Sequence, residues 1–410
     1  MENKVCKRGH PKVYWQGRDF CPVCAKSDAV FKVKEKLTTD NINGNAPSVF
    51  VGHYGYPKLN VGILSPAEKV DDAFLYDAPR IWGSENFEIP RLVDLRSSLL
   101  NSRFQINVKE SNKFLDITQE VSMASKPVDV EINLKEKPKF RLNLDPFTAP
   151  TGPRGTIVKA DITSNPKISH KVDKVVDDID LKAVGGIKYL YKSGFDENFL
   201  TKLLSTASMG LKKNRKLVPT KWSITAVDDQ VGKLKIQEIK DYNHIDYCAY
   251  FGNYLGNYYI IMFFPDAWSY ELFETFAPKG YWNETAEIKY TTDYEGYEGR
   301  KDYVHETAGG YYAARLPILE RLSKLKRQGS VLCLRFITNE YAVHLGVWVV
   351  REATRKAMKS TPIFFSDKEL MLKYAKVLVK RKFNYDIDNL LRKSILLKQI
   401  KEQRKINEFF

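Results

Sequence analysis

The sequence predicts an α+β protein in which helices are mixed with largely antiparallel strands. Apolar residues recur every three or four positions from Val176 to Leu211, which is the spacing of an amphipathic helix. Continuous apolar runs such as YYIIMFF and SVLCLRFI have the aromatic and β-branched content of buried strands. Helices mixed with strands of this kind are typical of the α+β class.

The first half of the chain is predicted to begin with strands. Gly and Pro punctuate SVFVGHYGYPKLNVG, which indicates a strand, a turn and a second strand. A helix centred on 93–101 follows, and the stretch 133–170 is rich in Pro, Lys and Asp, which predicts an extended or looped segment. From Trp222 to Phe264 the pattern again favours strands, in WSITAV, YCAYFGNY and YYIIMFF.

The second half is predicted to alternate between the two kinds of element. A helix from Ala313 to Arg327 leads into the strand SVLCLRFI, and a further strand, AVHLGVWVV, precedes a helix, REATRKAMKS. The segment after it is helical and basic up to the end of the chain.

Composition limits the class of protein. The 410 residues are 43% hydrophobic and 12% aromatic, which excludes global disorder and suits about two or three domains. No apolar run reaches the roughly 18 to 20 residues of a membrane helix, and the N-terminus lacks a secretory signal. We therefore expect a cytoplasmic, nucleoid-associated protein with no membrane partner.

The charge balance favours a polyanionic partner. Lys and Arg number 65 against 50 Asp and Glu, a formal net charge of +15, and nucleic acid is the usual partner of so basic a chain. The alternative is a lysine-rich surface that only aids solubility.

The N-terminus carries a pattern typical of a metal site. Cys6, His10, Cys21 and Cys24 form a Cys₃His set, which suits a closed, structural zinc site. So short a unit cannot build its own core, and the metal would supply the missing folding energy. The five cysteines of the chain are an odd number, which argues against a disulfide framework. The alternative is a reduced thiol pair with an unrelated His10.

The chain ends on two adjacent aromatic residues, in QRKINEFF. In a single 3₁₀ turn, the side chains of Ile406 and Phe409 would point to the same side. Phe410 adds a second ring, and Gln403 lies one turn upstream. The pattern resembles the PIP box, the peptide by which replication and repair proteins attach to the sliding clamp PCNA. The alternative is a terminal helix whose phenylalanines dock on the body of the same chain.

These features divide the chain into segments. We predict a zinc-binding unit at 1–30, an N-terminal α+β region at 45–170 and a C-terminal α+β core at 171–365. A basic helical segment at 366–402 and a flexible clamp-binding peptide at 403–410 complete the chain.

Longer segments resemble a known family. They are SVFVGHYGYPKLNVG, RKLVPTKWSITAVDD, DYEGYEGRKDY, GGYYAARLPILERL and GVWVVREATRKAM. Together with the Cys cluster and the terminal peptide, they make the chain similar to the archaeal Nre proteins over nearly its whole length. The resemblance implies a role in DNA repair after DNA damage and binding to PCNA. Members of that family commonly have four cysteines at the N-terminus, and His10 stands in place of one here.

The segment RKLVPTKWSITAVDD is the first candidate site of the body. Basic residues beside an exposed Trp would bind phosphates and stack on a base, and the candidates are Arg215, Lys216, Lys221 and Trp222. Asp228 and Asp229, predicted to follow a strand, could hold Mg²⁺ or Mn²⁺. The alternative is a basic loop, a core Trp222 and a turn or helix cap made by Asp228.

Acidic residues in DYEGYEGRKDY form the second candidate site. Asp293 and Glu295, two apart on a strand, would face the same side, with Lys301 near a phosphate. Such carboxylates with a lysine are ingredients of metal-dependent phosphodiester hydrolysis. A plain charged hairpin loop is the alternative.

The third candidate site is the segment GGYYAARL. Gly309 and Gly310 before a helix start would bind phosphate through free backbone N–H groups, with Arg315 on the first turns. Tyr311 could stack on a base. A strand-to-helix turn with core tyrosines explains the same residues.

The sequence therefore leaves competing hypotheses for the body. As a binding module it would bring a repair factor to DNA through PCNA. As an enzyme it would use Asp228, Asp229, Asp293 and Glu295 around a metal to process nucleic acid, or handle a nucleotide at the 309–315 helix start. The sequence leaves open whether any bond is broken.

Overall fold

A computed structural model describes residues 5–10, 12–15, 18–37, 39–139, 149–279 and 282–402. The chain divides into two compact units, named here the first unit (Met1–Val231 with Ala342–Gly346) and the second unit (Gly232–Tyr341 with Val347–Phe410). Helices and sheets occur in both, which confirms the α+β class. Among the described residues, no helix combines the length and the apolar character needed to cross a membrane.

The first unit begins with short strands and a helix. Its elements are β1 (Val13–Trp15), β2 (Arg18–Phe20), α1 (Pro22–Lys36), β3 (Asn41–Ala46), β4 (Ser48–Val51), β5 (Lys58–Ser65), a 3₁₀ helix (Ala73–Asp77), α2 (Pro79–Ser84), α3 (Ile89–Ser97) and β6 (Leu100–Asn107). It continues with α4 (Lys113–Met123), β7 (Val128–Leu134), β8 (Arg154–Ile162), α5 (His170–Asp177), α6 (Ala183–Lys192), α7 (Glu197–Ser205), a 3₁₀ helix (Lys212–Asn214) and the start of α8 (Thr220–Ile239).

The main sheet of the first unit has the strand order β3-β7-β8-β6-β5-β4. The β6–β8 pair is parallel, and the other neighbours are antiparallel. In β7, VDVEINL alternates apolar and polar residues, so Val128, Val130 and Ile132 enter the core on one face. Leu115 and Val121 of α4 belong to the same apolar cluster. The sheet is thus buried on the face that its sequence pattern makes apolar.

The second unit contains the rest of the chain. Its elements are the end of α8, then β9 (Asn243–His244), β10 (Cys248–Tyr254), β11 (Asn257–Phe264), β12 (Ser269–Phe276), β13 (Lys289–Glu295), α9 (Ala308–Leu325), β14 (Arg327–Gln328), β15 (Ser330–Ile337), α10 (Trp348–Lys359), β16 (Ile363–Phe364), α11 (Lys368–Phe383), α12 (Asp388–Lys393) and α13 (Ile395–Glu402).

The main sheet of the second unit has the order β13-β12-β15-β11-β10-β16. The β12–β15 pair is parallel, and the other neighbours are antiparallel. The central strand β15 is buried at every position because helices cover both faces. Leu332 and Leu334 join an apolar cluster with Met371 of α11 and Leu390 of α12. On the other face α10 packs on β10 and β11 and closely approaches Gly252.

Most of the predicted elements are confirmed. The strand–turn–strand segment corresponds to β4 and β5, and the helical pattern from Val176 to Leu211 corresponds to the end of α5, α6 and α7. YCAYFGNY, YYIIMFF and SVLCLRFI form β10, β11 and β15, and the basic segment before the tail is helical.

Two strand predictions are wrong. WSITAV lies in α8, where Ser223, Val227 and Val231 are buried at four-residue spacing, which is a helical period. AVHLGVWVV forms no strand, because α10 begins within it at Trp348 and buries Val349, Val350 and Ala353. Short apolar runs do not distinguish a buried strand from a buried helix segment by periodicity.

Candidate metal centre and nucleic-acid interface

The predicted metal ligands Cys6, His10, Cys21 and Cys24 come together in the first unit. Cys6 and His10 flank a tight turn in which the N–H of Gly9 donates to the Cys6 carbonyl at 2.8 Å and the N–H of Cys6 to the His10 carbonyl at 2.9 Å. Gly9 has φ +79°, which suits glycine. Cys21 caps the N-terminus of α1, where its Sγ accepts the N–H of Cys24 at 3.4 Å.

The spacing of the donor atoms suits a tetrahedral ion. All four ligand atoms lie within 4.8 Å of one another. Cys6 Sγ is 3.5 Å from Cys24 Sγ, and His10 Nδ1 is 3.6 Å from each of them. Bonds of about 2.3 Å to sulfur and about 2.0 Å to nitrogen predict S–S edges of about 3.8 Å and S–N edges of about 3.5 Å. The cysteines are free thiols, so every sulfur remains available as a ligand.

The thiols of this cluster influence one another's ionisation. Desolvation raises the pKa of the Cys6 thiol, but backbone hydrogen bonds from His10 and Arg8 outweigh it and bring the pKa to about 6. Desolvation, followed by hydrogen bonds with Cys21 and Cys6, raises the pKa of Cys24 to about 12. One thiolate therefore opposes the formation of a second, and a divalent cation would remove that opposition.

A second feature of the first unit is a group of rings, named here the aromatic patch: the exposed Tyr54, Tyr56 and Trp222 with the half-buried His53. Tyr54 is 79% exposed, Trp222 is 50% exposed and Tyr56 is 48% exposed. The ring centroids of His53 and Tyr54 are 3.9 Å apart, and those of Tyr56 and Trp222 are 6.0 Å apart. Trp222 thus lies at the surface and not in a core.

Hydrogen bonds hold together the segments that carry the patch. The N–H of Val51 donates to Thr220 Oγ1 at 2.9 Å, which joins β4 to the start of α8. The N–H of Val108 donates to the Pro57 carbonyl at 3.0 Å, and the N–H of Leu217 to the Val108 carbonyl at 2.9 Å. The β4–β5 turn, the end of β6 and the segment before α8 are therefore fixed side by side.

Exposed lysines lie next to these bonded positions, namely Lys58, Lys109, Lys216 and Lys221. The predicted Arg215 has a different role. Its Nε donates to the Gly210 carbonyl at 2.6 Å and its Nη2 to the Val176 carbonyl at 2.7 Å. Burial lowers the pKa of its guanidinium, although Asp177 and Asp178 oppose the effect. Arg215 therefore holds its loop in place, and the lysines supply the exposed charge.

Tyr54 and Tyr56 were absent from the candidates found in the sequence. The available signal was HYGYP, in which two tyrosines stand in a turn between buried strands. Gly55 has φ +88°, and a Cβ there would lie 2.8 Å from the Lys58 carbonyl oxygen, so the turn requires glycine. A ring on such a turn has no core to enter.

Asp228 and Asp229 lie on α8 and do not follow a strand, so that part of the prediction is wrong. Asp228 is buried and Asp229 is half-buried. Within the described part of the chain, the Cys/His cluster is the one group of three or more His, Cys, Asp or Glu donors close enough to share an ion. These two aspartates, Asp293 and Glu295 are outside it.

In the second unit, Asp293 organises the segment before α9. Its Oδ1 accepts the N–H of His305 at 3.0 Å. Its Oδ2 accepts the N–H groups of Glu306 and Thr307, both at 2.9 Å, and the Thr307 hydroxyl at 2.8 Å. Burial raises the pKa of Asp293, but these donors outweigh it and the net pKa is lowered. Lys301 is exposed on the same loop.

Glu295 faces the interior on the same side of β13 as Asp293. Its Oε2 accepts Arg315 Nη1 at 2.6 Å, with both side chains fully buried, and its Oε1 accepts Trp268 Nε1 at 3.3 Å. Gly309 and Gly310 belong to the first turn of α9 and do not precede it, and Tyr311 is fully buried. These residues are assembled inside the second unit.

Comparison with known proteins covers almost the whole chain. The family model described as archaeal Nre, N-terminal, matches residues 16–283, and the model described as archaeal Nre, C-terminal, matches residues 295–409. The chain belongs to the archaeal Nre family. The resemblance found in the sequence is thereby confirmed.

Named relatives agree with that assignment. DNA repair protein NreA of Haloferax volcanii is 38% identical over 338 residues, 80% of each chain. DNA repair protein NreB of Archaeoglobus fulgidus is 35% identical over 393 residues, 96% of each chain. DNA repair protein NreA of Archaeoglobus fulgidus is 38% identical over 353 residues, 85% of this chain and 87% of the relative. No solved structure gave a significant match.

The predicted clamp-binding residues Gln403, Ile406, Phe409 and Phe410 lie outside the described residues. The helix immediately before them is well anchored. Glu271 of β12 accepts the N–H groups of Ile395 at 2.9 Å and Leu396 at 3.1 Å, and so caps α13. The tail therefore begins directly after a fixed helix of the second unit.

Proposed function

We propose that this Nre protein is a DNA-repair factor that PCNA recruits to DNA through the terminal peptide, and whose first unit binds DNA. The observation that carries the DNA-binding part is Trp222, exposed beside Tyr56 with Lys216 and Lys221 on the same connected segment. Exposed rings flanked by lysines suit bases and phosphates. The names of the relatives support the repair role.

The clamp-binding part rests on the spacing of the tail. An aliphatic residue and two aromatic residues, with Gln403 one turn upstream, form a compact set of anchors for a preformed groove. A peptide at the end of a fixed helix keeps the body close to the clamp. The local concentration of the body at the DNA would then be roughly millimolar, even when the peptide alone binds the clamp weakly.

We further propose that the ion held by Cys6, His10, Cys21 and Cys24 is zinc with a structural role. Three thiolates and an imidazole are a donor set that zinc prefers, and they leave no open position for a substrate. The ion would fix the start of α1, whose Val33 joins the core of the first unit. The ion would thus stabilise the start of α1, and the core of the first unit would stabilise its later turns.

The clamp-binding proposal is tested with Phe409→Ala combined with Phe410→Ala. We expect this variant to bind purified PCNA more than about 100-fold more weakly, because two aromatic anchors are removed. The matched control is Asn407→Ala, which changes a tail position between the anchors. Surface plasmon resonance with immobilised PCNA measures both. Unchanged binding of the double variant would refute the clamp peptide.

The DNA-binding proposal is tested separately, with Lys216→Ala combined with Lys221→Ala. Both lysines are exposed, so we expect the fold to persist while DNA affinity falls and its salt dependence becomes shallower. The control Lys188→Ala removes an exposed lysine on α6. If the double variant binds DNA as tightly as the wild type at every salt concentration, the proposed interface is wrong.

A further inference from the structure

We propose that the aromatic patch is a stacking site for unpaired bases, so that the DNA bound by the first unit is single-stranded. The inference rests on the proposed DNA-binding function and specifies the form of DNA that it uses. The key residues are Tyr54, Tyr56 and Trp222, of which only Trp222 was singled out from the sequence.

The exposure of the rings needs an explanation. Tyr54 is 79% exposed although its ring meets that of His53 at 3.9 Å, so it contributes little to the packing of the folded chain. Tyr56 and Trp222 approach each other from different segments and both stay about half exposed. Their flat faces therefore remain available to a ligand that is itself flat.

Unpaired bases are such ligands, and paired bases are not. In a duplex the faces of the bases are covered by their neighbours, so a protein can read only their edges. Lysines contact base edges and phosphates in either form of DNA, so it is the exposed rings of this patch that favour an unpaired strand. In a single strand each base can stack on an aromatic side chain, whatever its sequence.

The charge around the rings is complementary to a phosphate backbone. Lys58 follows the β4–β5 turn, Lys109 follows β6, and Lys216 and Lys221 lie on the segment that reaches α8. Glu110 also borders this region, where it accepts the N–H of Asn107 at 3.2 Å. An uncharged apolar partner would leave these lysines without complementary groups, while a nucleic-acid strand places phosphates beside its stacked bases.

The patch is organised before a ligand arrives. Two backbone hydrogen bonds, at Val108 and Leu217, and the bond from the Val51 N–H to the Thr220 hydroxyl join the β4–β5 turn, the end of β6 and the segment before α8. The rings are therefore presented from fixed backbone, which lowers the conformational entropy lost on binding.

The test uses the full chain and fluorescently labelled oligo(dT), with a duplex of the same length as competitor. We expect the single strand to bind at least about tenfold more tightly than the duplex at equal salt. Tyr54→Ala with Tyr56→Ala should weaken single-strand binding by more than about tenfold, since each lost stacking contact weakens binding severalfold. The matched control, Tyr54→Phe with Tyr56→Phe, keeps both rings and should bind like the wild type.

The outcomes separate this inference from the function on which it rests. Equal binding of single strand and duplex, or alanine variants that bind like the wild type, would overturn the stacking site while leaving DNA binding through lysines intact. A phenylalanine control that loses as much affinity as the alanine variant would show that hydroxyl contacts matter and not stacking, which also overturns it. Absence of binding to either form of DNA would refute the proposed DNA-binding function itself.

Discussion

Replacement of Asp293 by Asn should destabilise the second unit strongly. The Asp293 carboxylate accepts four hydrogen bonds, from the N–H groups of His305, Glu306 and Thr307 and from the Thr307 hydroxyl. Asn retains one acceptor oxygen, and its NH₂ group would face donors that now have no acceptor. The carboxylate is buried, so water does not replace the lost bonds.

The size of the effect follows from these contacts. Three of the four donors converge on Oδ2, at 2.8 Å to 2.9 Å. A hydrogen bond to a charged group contributes about 1.5 to 3 kcal/mol, and bonds that share one acceptor are not additive. We therefore expect Asp293→Asn to lower the free energy of unfolding by about 3 to 5 kcal/mol.

The dependence on pH has a definite sign. The pKa of Asp293 is lowered in the folded chain, so its stabilising contribution is complete above the unfolded pKa of about 3.9. That contribution is lost as the pH falls through the lower, folded pKa. The difference in stability between wild type and Asp293→Asn should therefore shrink in strong acid.

Urea unfolding followed by circular dichroism, together with hydrogen–deuterium exchange of the peptide 303–312, measures the effect. Exchange should accelerate in this peptide, because the donors that it contains lose their acceptor. Asp302→Asn, at an exposed position of the same loop, is the control and should change little. If the free energy of unfolding of Asp293→Asn lies within about 0.5 kcal/mol of the wild-type value, Asp293 does not stabilise the segment before α9.

Two further predictions concern the ends of the chain. The double variant Cys21→Ser with Cys24→Ser should lower the bound zinc from one equivalent to none. It should also make the N-terminus sensitive to protease, while the rest of the fold persists. An unchanged zinc content in elemental analysis would contradict this prediction. Glu271→Gln should weaken the cap of α13 and raise hydrogen exchange at 394–400 by about tenfold, because the donors lose a charged acceptor. The exposed Glu369→Gln is the control, and equal exchange in both variants would exclude the cap.

Elements with a long or clear pattern could be predicted from the sequence. The continuous apolar runs of β11 and β15 are longer than those of a surface segment, which predicts buried strands. The helical period before Leu211 extends over several turns. WSITAV is shorter, and its apolar residues fit both periods. Its helical state depends on burial of Ser223 and Val227 by neighbouring elements, which no local pattern contains.

The metal ligands were predictable for a different reason. Cys6 and His10 are joined by a tight turn, and Cys21 and Cys24 by the first turn of α1, so local chain geometry nearly determines that each pair can share an ion. Only the meeting of the two pairs is a tertiary property. It arises because the Cys6–His10 turn packs against the start of α1.

Two aromatic residues of the body show that the local sequence does not determine whether a ring is exposed. Trp222 and Tyr311 both stand beside basic residues, and each could stack on a base. Trp222 lies in water near the start of α8, whereas Tyr311 is enclosed with Arg315 and Glu295. The difference comes from helix position: the first turn of α8 exposes one face, with Lys221 and Trp222, and α9 is buried along most of its length.

The buried ion pair and the aromatic patch differ in the energy needed to admit a ligand. Arg315 and Glu295 form a fully buried ion pair, and a ligand that separates them leaves a buried charge without its partner, which costs about 3 to 5 kcal/mol. The aromatic patch requires no such opening, since its rings and lysines already face water. A ligand that binds by charge and stacking would therefore bind the first unit at far lower energetic cost than the interior of the second.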